Sequence, residues 1–159
     1  MEPILSELLD ELEEERRRID LCLGKLTEVE IWQRPREKSN SVGNLCLHLT
    51  GNESHYIGHC VGGADYVRDR PAEFNADGGA SARELSQGLA AARRTTRRVF
   101  ESLTAADFDR VVDSNHPPDP TVLKVILHVT HHYAYHTGQI ILLTRLAQEI
   151  PGRILQWGH

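Results

Sequence analysis

The chain has 159 residues, of which 40% are hydrophobic, 26% charged and only 6% aromatic. That is enough to bury a core as one domain, and it sits closer to a helical bundle than to a β-sandwich. Its 18 basic and 23 acidic residues leave a formal charge of −5, which gives no global electrostatic reason to expect nucleic acid as a partner. No apolar run approaches the roughly 20 residues that a membrane span needs. Met1-Glu2-Pro3-Ile4 lacks the basic and apolar regions of a signal peptide, so a cytoplasmic protein is expected. Cys22, Cys46 and Cys60 are scattered with no Cys-x-x-Cys. They read as free thiols in a reducing compartment rather than as a zinc ribbon or a thioredoxin-like site.

From about Pro3 to Leu26, Leu5, Leu8, Leu12, Ile19 and Leu26 recur on a helical spacing with Glu and Arg opposite them, and Pro3 suits a first helical turn. A second helix is expected from about Ser41, its N-cap, to Cys60, with Val42, Leu45, Leu49 and Tyr56 as its apolar edge and Gly62-Gly63 as its stop. Residues 64–80 carry Arg68-Asp69-Arg70-Pro71 and Asp77-Gly78-Gly79 and read as a long loop, either a crossover or a functional segment. A third helix starts at a capping-box pattern, Ser81-Ala82-Arg83-Glu84, and carries the seam Leu85, Leu89, Ala92, Thr96, Val99, Leu103. The stretch from Thr104 to Asp113 is mixed, and His116-Pro117-Pro118-Asp119-Pro120 cannot propagate a helix. The fourth helix runs from about Thr121 to Ala147, closed by Pro151-Gly152. Four amphipathic helices of this length make an all-α four-helix bundle the expected fold, one domain over residues 1–159, with a long crossover between helices 2 and 3.

His132 and His136 lie four residues apart in the last helix. That is about one helical turn, so both imidazoles leave the face that also carries Val125, Val129, Gln139 and Leu143. Polar rings on a stripe that should be buried need partners, and a metal ion supplies one. Two histidines make only half of a tetrahedral site. Helix 2 offers His48, His55 and His59; His48, mid-helix between Leu47 and Leu49, is the best enclosed and is chosen as third ligand. Three neutral imidazoles suit a divalent ion, zinc or nickel first and ferrous iron next, and leave at least one position open, as catalytic rather than structural metals do. Asn52 and Gln139, each about one turn beyond a ligand, are placed to orient a ligand ring or a bound nucleophile. Tyr135 lies near the ligand face, and His128 reads as a flanking or surface group. No Glu follows His132, which removes the zincin protease motif. No paired Glu-x-x-His occurs, and no Cys-x-x-Cys-His, so a ferritin-like di-iron site and covalent haem are also excluded.

The stretch from His128 through His132 and His136 to Ile140 resembles the final-helix signature of the DinB/YfiT-like superfamily. Ser41-Val42-Gly43-Asn44-Leu45-Cys46-Leu47-His48-Leu49 resembles that superfamily's first histidine motif, and Arg68 to Phe74 is similar to a little-characterised branch of it. The resemblance implies an up-up-down-down bundle, often dimeric, with His48, His132 and His136 holding a divalent metal. It implies enzymes that use low-molecular-weight thiols, as S-transferases or a maleylpyruvate isomerase. Two functions follow. In one, the metal makes a thiol or water nucleophilic toward an electrophilic small molecule, the thiol being preferred because no carboxylate is evidently placed as general base. In the other, the bundle is a non-catalytic metal- or ligand-binding stress-response protein with a sealed site. Arg93, Arg94, Arg97 and Arg98 are expected on a solvated face, Arg68 and Arg70 on a surface loop, and either group is an alternative anchor for an anionic cosubstrate. Trp32 and Trp157 are expected to pack rather than stack on substrate.

Overall fold

The computed structural model describes residues 1–114 and 117–148. Four long helical stretches form the bundle: α1 (Pro3–Leu23), α3 (Val42–Glu53) running on as a π-helical segment (Ser54–Val61), α5 (Ala82–Ser102) and α6 (Val122–Gln148). Short α2 (Glu28–Trp32) and α4 (Arg70–Asn75) lie in the connections. The predicted caps form: the Ser41 and Ser81 hydroxyls accept from the backbone N–H of Asn44 and Glu84, and both are full capping boxes. Gly63 ends the π segment with φ 72°, a conformation that a Cβ disfavours. Inside lie Leu5, Leu12 and Ile19 of α1, Leu45 and Leu49 of α3, Leu89 and Phe100 of α5, and Val125, Val129 and Ile140 of α6, all essentially inaccessible. The residues beyond Gln148, with Pro151, Gly152 and Trp157, lie outside the described residues.

Side-chain pairs fix the helix directions. Asp20 meets Ser86 and Glu13 meets Arg97, so α1 and α5 are antiparallel. Gly58 faces Thr95 and Gly62 faces Val99, so the π-helical extension of α3 runs parallel to α5. His48 meets His132 while Tyr56 meets His128, so α3 and α6 are antiparallel. Cys22 bonds to Thr144 and Lys25 to Gln148, so α1 and α6 are parallel. The order is therefore up-down-down-up, not the up-up-down-down implied by the resemblance. The parallel step from α3 to α5 needs the long crossover expected over residues 64–80; an up-up-down-down chain would instead need its crossovers at the first and third connections.

Two further differences have local causes. Helix 2 does not stay α-helical to Cys60. From Ser54 it widens into the π form, which re-aims the side chains beyond Glu53. The long loop contains α4, started by Asp69, whose side chain accepts from the Ala72 N–H, and anchored on α3 by the Asn44 amide, which donates to the Glu73 and Ala76 carbonyls at 3.0 and 2.7 Å. Trp32 packs as expected, its indole N–H donating to the Ala80 carbonyl at 3.0 Å.

Arg93 corrects the solvated-face expectation. Arg94, Arg97 and Arg98 are exposed, but Arg93 is only 2% exposed and donates to the inaccessible Glu53 carboxylate at 2.8 and 3.2 Å. Thr96 and Tyr133 also donate to Glu53, at 2.6 and 2.5 Å. Burial alone would lower the Arg93 pKa, but the Glu53 charge raises it above its ordinary value. Removing one member of a buried pair leaves the other charge stranded. Glu53→Ala is thus expected to cost about 3–5 kcal/mol in urea unfolding, and Glu53→Ala combined with Arg93→Met is expected to recover much of that loss.

Candidate metal centre

α3 and α6 meet where the predicted histidines lie. His48 projects from the middle of α3, and His132 and His136 project from α6 one turn apart. The three rings sit with centroids 4.9, 5.0 and 4.4 Å apart, and one nitrogen from each lies within 4.8 Å of the others. His48 and His136 are buried, while His132 is half-buried and gives the cluster its solvent side. His55 and His59 fall outside the cluster: His59 is exposed, with its Nδ1 2.7 Å from the Ala64 carbonyl, and His55 contacts Cys60. His128 flanks the site, its ring stacked 5.5 Å from that of His132.

The outward ring nitrogens have acceptors. His136 Nδ1 lies 2.7 Å from Gln139 Oε1 and His48 Nδ1 lies 2.9 Å from Glu73 Oε2. Donating Nδ1–H outward leaves each Nε2 with its lone pair toward the centre. The Nε2 atoms of His48 and His132 are 2.8 Å apart, and two lone pairs at that range need a proton or a cation between them. Zinc–nitrogen bonds of about 2.0–2.1 Å at tetrahedral angles set such nitrogens about 3.3 Å apart, so small side-chain rotations suffice. The three histidines can hold a metal ion. Burial first, then the neighbouring rings of His136, His48 and His128, push the His132 pKa down to about 3, and burial also lowers His136. Both shifts favour the neutral imidazole, which keeps one N–H and one free lone pair.

Of the orienting residues expected from sequence, Gln139 contacts the His136 ring directly. Asn52 is buried one turn beyond His48, and its Oδ1 has no partner among the described residues. Tyr135 is 64% exposed, its ring edge-on to His136 at 5.0 Å, so it borders the site from solvent. Tyr133 points into the core instead.

Glu73 is the residue that sequence reasoning missed, because no carboxylate seemed placed near the site. It reaches His48 from α4, held by Arg68, whose Nε and Nη2 donate to its two oxygens at 2.6 and 2.8 Å. Burial alone would raise the Glu73 pKa; the Arg68 and His48 contacts hold it below its ordinary value. Arg68 is therefore not a surface-loop residue, its side chain being only 11% exposed, whereas Arg70 is exposed and lies over the Phe74 ring. The one sequence signal was the Asp69 cap and Pro71, which start a short helix within a segment otherwise read as loop.

A family model described as Mycothiol-S-transferase matches residues 7–146. The chain belongs to the mycothiol-S-transferase family. It is thereby a member of the DinB/YfiT-like superfamily that its two histidine motifs resemble. A solved structure of a conserved protein from Enterococcus faecalis superposes with a TM-score of 0.78, covering 94% of this chain and all of its own at 18% identity; at that identity the likeness is one of fold. No curated protein matches the chain. Among the described residues no helix is long and apolar enough to cross a membrane.

A histidine kept neutral by burial stabilises the fold only while it stays neutral in the unfolded chain as well. With a folded pKa of about 3 against an ordinary 6.5, the His132 contribution is complete above pH 6.5 and is lost progressively as pH falls toward 3. Metal-free His132→Gln protein is therefore expected to lose less stability than the parent between pH 7 and 4.5, as read by chemical denaturation across that range.

Proposed function

We propose that this member of the mycothiol-S-transferase family is a metal-dependent thiol S-transferase, in which His48, His132 and His136 hold one divalent ion, zinc or nickel by preference and iron as a further choice. A divalent ion there supplies the positive charge that lets a thiol ionise near neutral pH. The observation that carries the reading is the inward convergence of the three imidazoles in a chain of this family. Glu73 and Gln139 hold two of the rings in orientation, and the unpartnered Asn52 Oδ1 is a buried acceptor available to an incoming thiol. Half-buried His132 leaves a way in from solvent, which favours catalysis over the sealed, non-catalytic bundle.

The chemistry is nucleophilic: a low-molecular-weight thiol gives its proton to solvent, and its sulfur then bonds to an electrophilic carbon of a small molecule as that carbon's leaving group departs with its bonding pair. Glu73 is engaged by Arg68 and held below its ordinary pKa, so it is a poor proton acceptor. That favours a thiol, which ionises readily, over water, which needs a base. Three unpaired cysteines suit a reducing compartment such as the cytoplasm. A second copy of the chain is the proposed partner, supported by Leu142 and Leu146, exposed along α6 beside Tyr135.

Purified protein is expected to bind about one zinc per chain by elemental analysis and calorimetric titration, and His132→Ala to lose binding together with thiol-transfer turnover; turnover retained in metal-free His132→Ala protein would sink the proposal. In light scattering, Leu142→Lys with Leu146→Lys is expected to move a dimer to the monomer mass.

A further inference from the structure

We propose that the Arg68–Glu73 pair selects the ring tautomer of His48, and with it whether Nε2 of that ring is free to bind a metal ion. The proposal deepens the metal-site reading, on which only its zinc measurements rest.

His48 Nδ1 has two neighbours of opposite demand. Glu73 Oε2 lies 2.9 Å away and Arg68 Nη2 lies 3.1 Å away. A carboxylate only accepts and a guanidinium only donates, so Nδ1 cannot satisfy both. With the proton on Nδ1, the ring donates to Glu73 and its Nε2 lone pair faces His132 and His136. With the proton on Nε2, Nδ1 accepts from Arg68 and the N–H at Nε2 points at His132 Nε2, 2.8 Å away, occupying the lone pairs of two ligands at once. The same two side chains thus support a metal-competent and a metal-blocking tautomer of one ring.

The carboxylate is placed to favour the first form. An ionised acceptor forms the stronger bond with a ring N–H, and the Glu73 side chain is locked by two donors of Arg68 in a largely buried position. Its slot exists because residue 51 has no side chain: a Cβ on Gly51 would lie 2.1 Å from Glu73 Oε1 and 2.9 Å from Cδ. Asn44 holds the α4 backbone at Glu73 and Ala76, so the carboxylate cannot retreat with its helix.

Deleting the carboxylate alone therefore leaves Arg68 as the one charged neighbour of Nδ1 and stabilises the blocking form. Deleting both releases the ring. The double variant should bind metal better than the single one, the reverse of two supports that add.

The test uses the full chain. In metal-free protein, long-range nitrogen–proton correlation spectra of the histidine rings are expected to show His48 protonated at Nδ1 in the parent and at Nε2 in Glu73→Ala. Chelator-competed zinc titration should give an affinity loss of about 10–100-fold for Glu73→Ala, a several-fold recovery in Arg68→Met with Glu73→Ala, and a loss in Gly51→Ala although both charged side chains remain. Circular dichroism melts identify which variants are folded, and Glu73→Gln, whose carbonyl still accepts from Nδ1, is the conservative control expected to keep the parental tautomer. A parent already protonated at Nε2, an unchanged tautomer in folded Glu73→Ala, or a double variant no tighter than the single would each overturn the proposal. Should the parent bind no zinc while the tautomer changes as expected, the metal reading fails and the selection by Arg68 and Glu73 stands.

Discussion

Glu53 ties three helices together at one buried point. Its carboxylate accepts from Arg93 and Thr96 of α5 and from Tyr133 of α6, while its own backbone ends the α-helical part of α3. A buried charge is tolerated only when its lone pairs are filled, so these donors must arrive together and set the register of α3 against both neighbours. The consequence for the site is direct. Tyr133 is the residue after His132, and Glu53 lies five residues after His48. The contact that fixes the core also fixes where the α3 and α6 histidines meet.

The site built on that register is made of imidazoles, two of them biased toward the neutral form. Burial and mutual proximity depress His132 and His136, and the nearby Arg68–Glu73 ion pair is internally balanced. The lone pairs that such a cluster turns inward suit a cation. Its polar supports stand on different elements: Gln139 on α6 itself, and Glu73 on α4, carried in by the connection between α3 and α5. That connection runs the length of the bundle because α3 and α5 are parallel, and it delivers a carboxylate on the way. Topology and ligand support are thus linked through one segment.

The π-helical stretch after Glu53 separates His48 of α3 from His55 and His59. His48 belongs to the regular part, where about 100° per residue aims it at α6. His55 and His59 lie within the widened segment; their rings stack 5.7 Å apart, outside the three-histidine cluster.

Much of this was legible from local pattern. The long helices, the Ser41 and Ser81 caps, the shared face of His132 and His136, and the choice of His48 over its neighbours all follow from periodicity, which acts within a few residues and is written into the sequence. Helix direction, the burial of Arg93 and the recruitment of Glu73 were not. Glu53 and Arg93 are 40 residues apart and His48 and Glu73 are 25 apart, with turns between them that periodicity does not describe. An arginine in a basic run looks solvated until a specific carboxylate is packed against it, and a glutamate in a connection looks like surface until the connection folds back. The sequence alone determined which imidazoles share a helix face, because that depends on residue type and helical spacing. Only the tertiary structure decided what holds them, because a hydrogen-bond partner depends on where the chain returns.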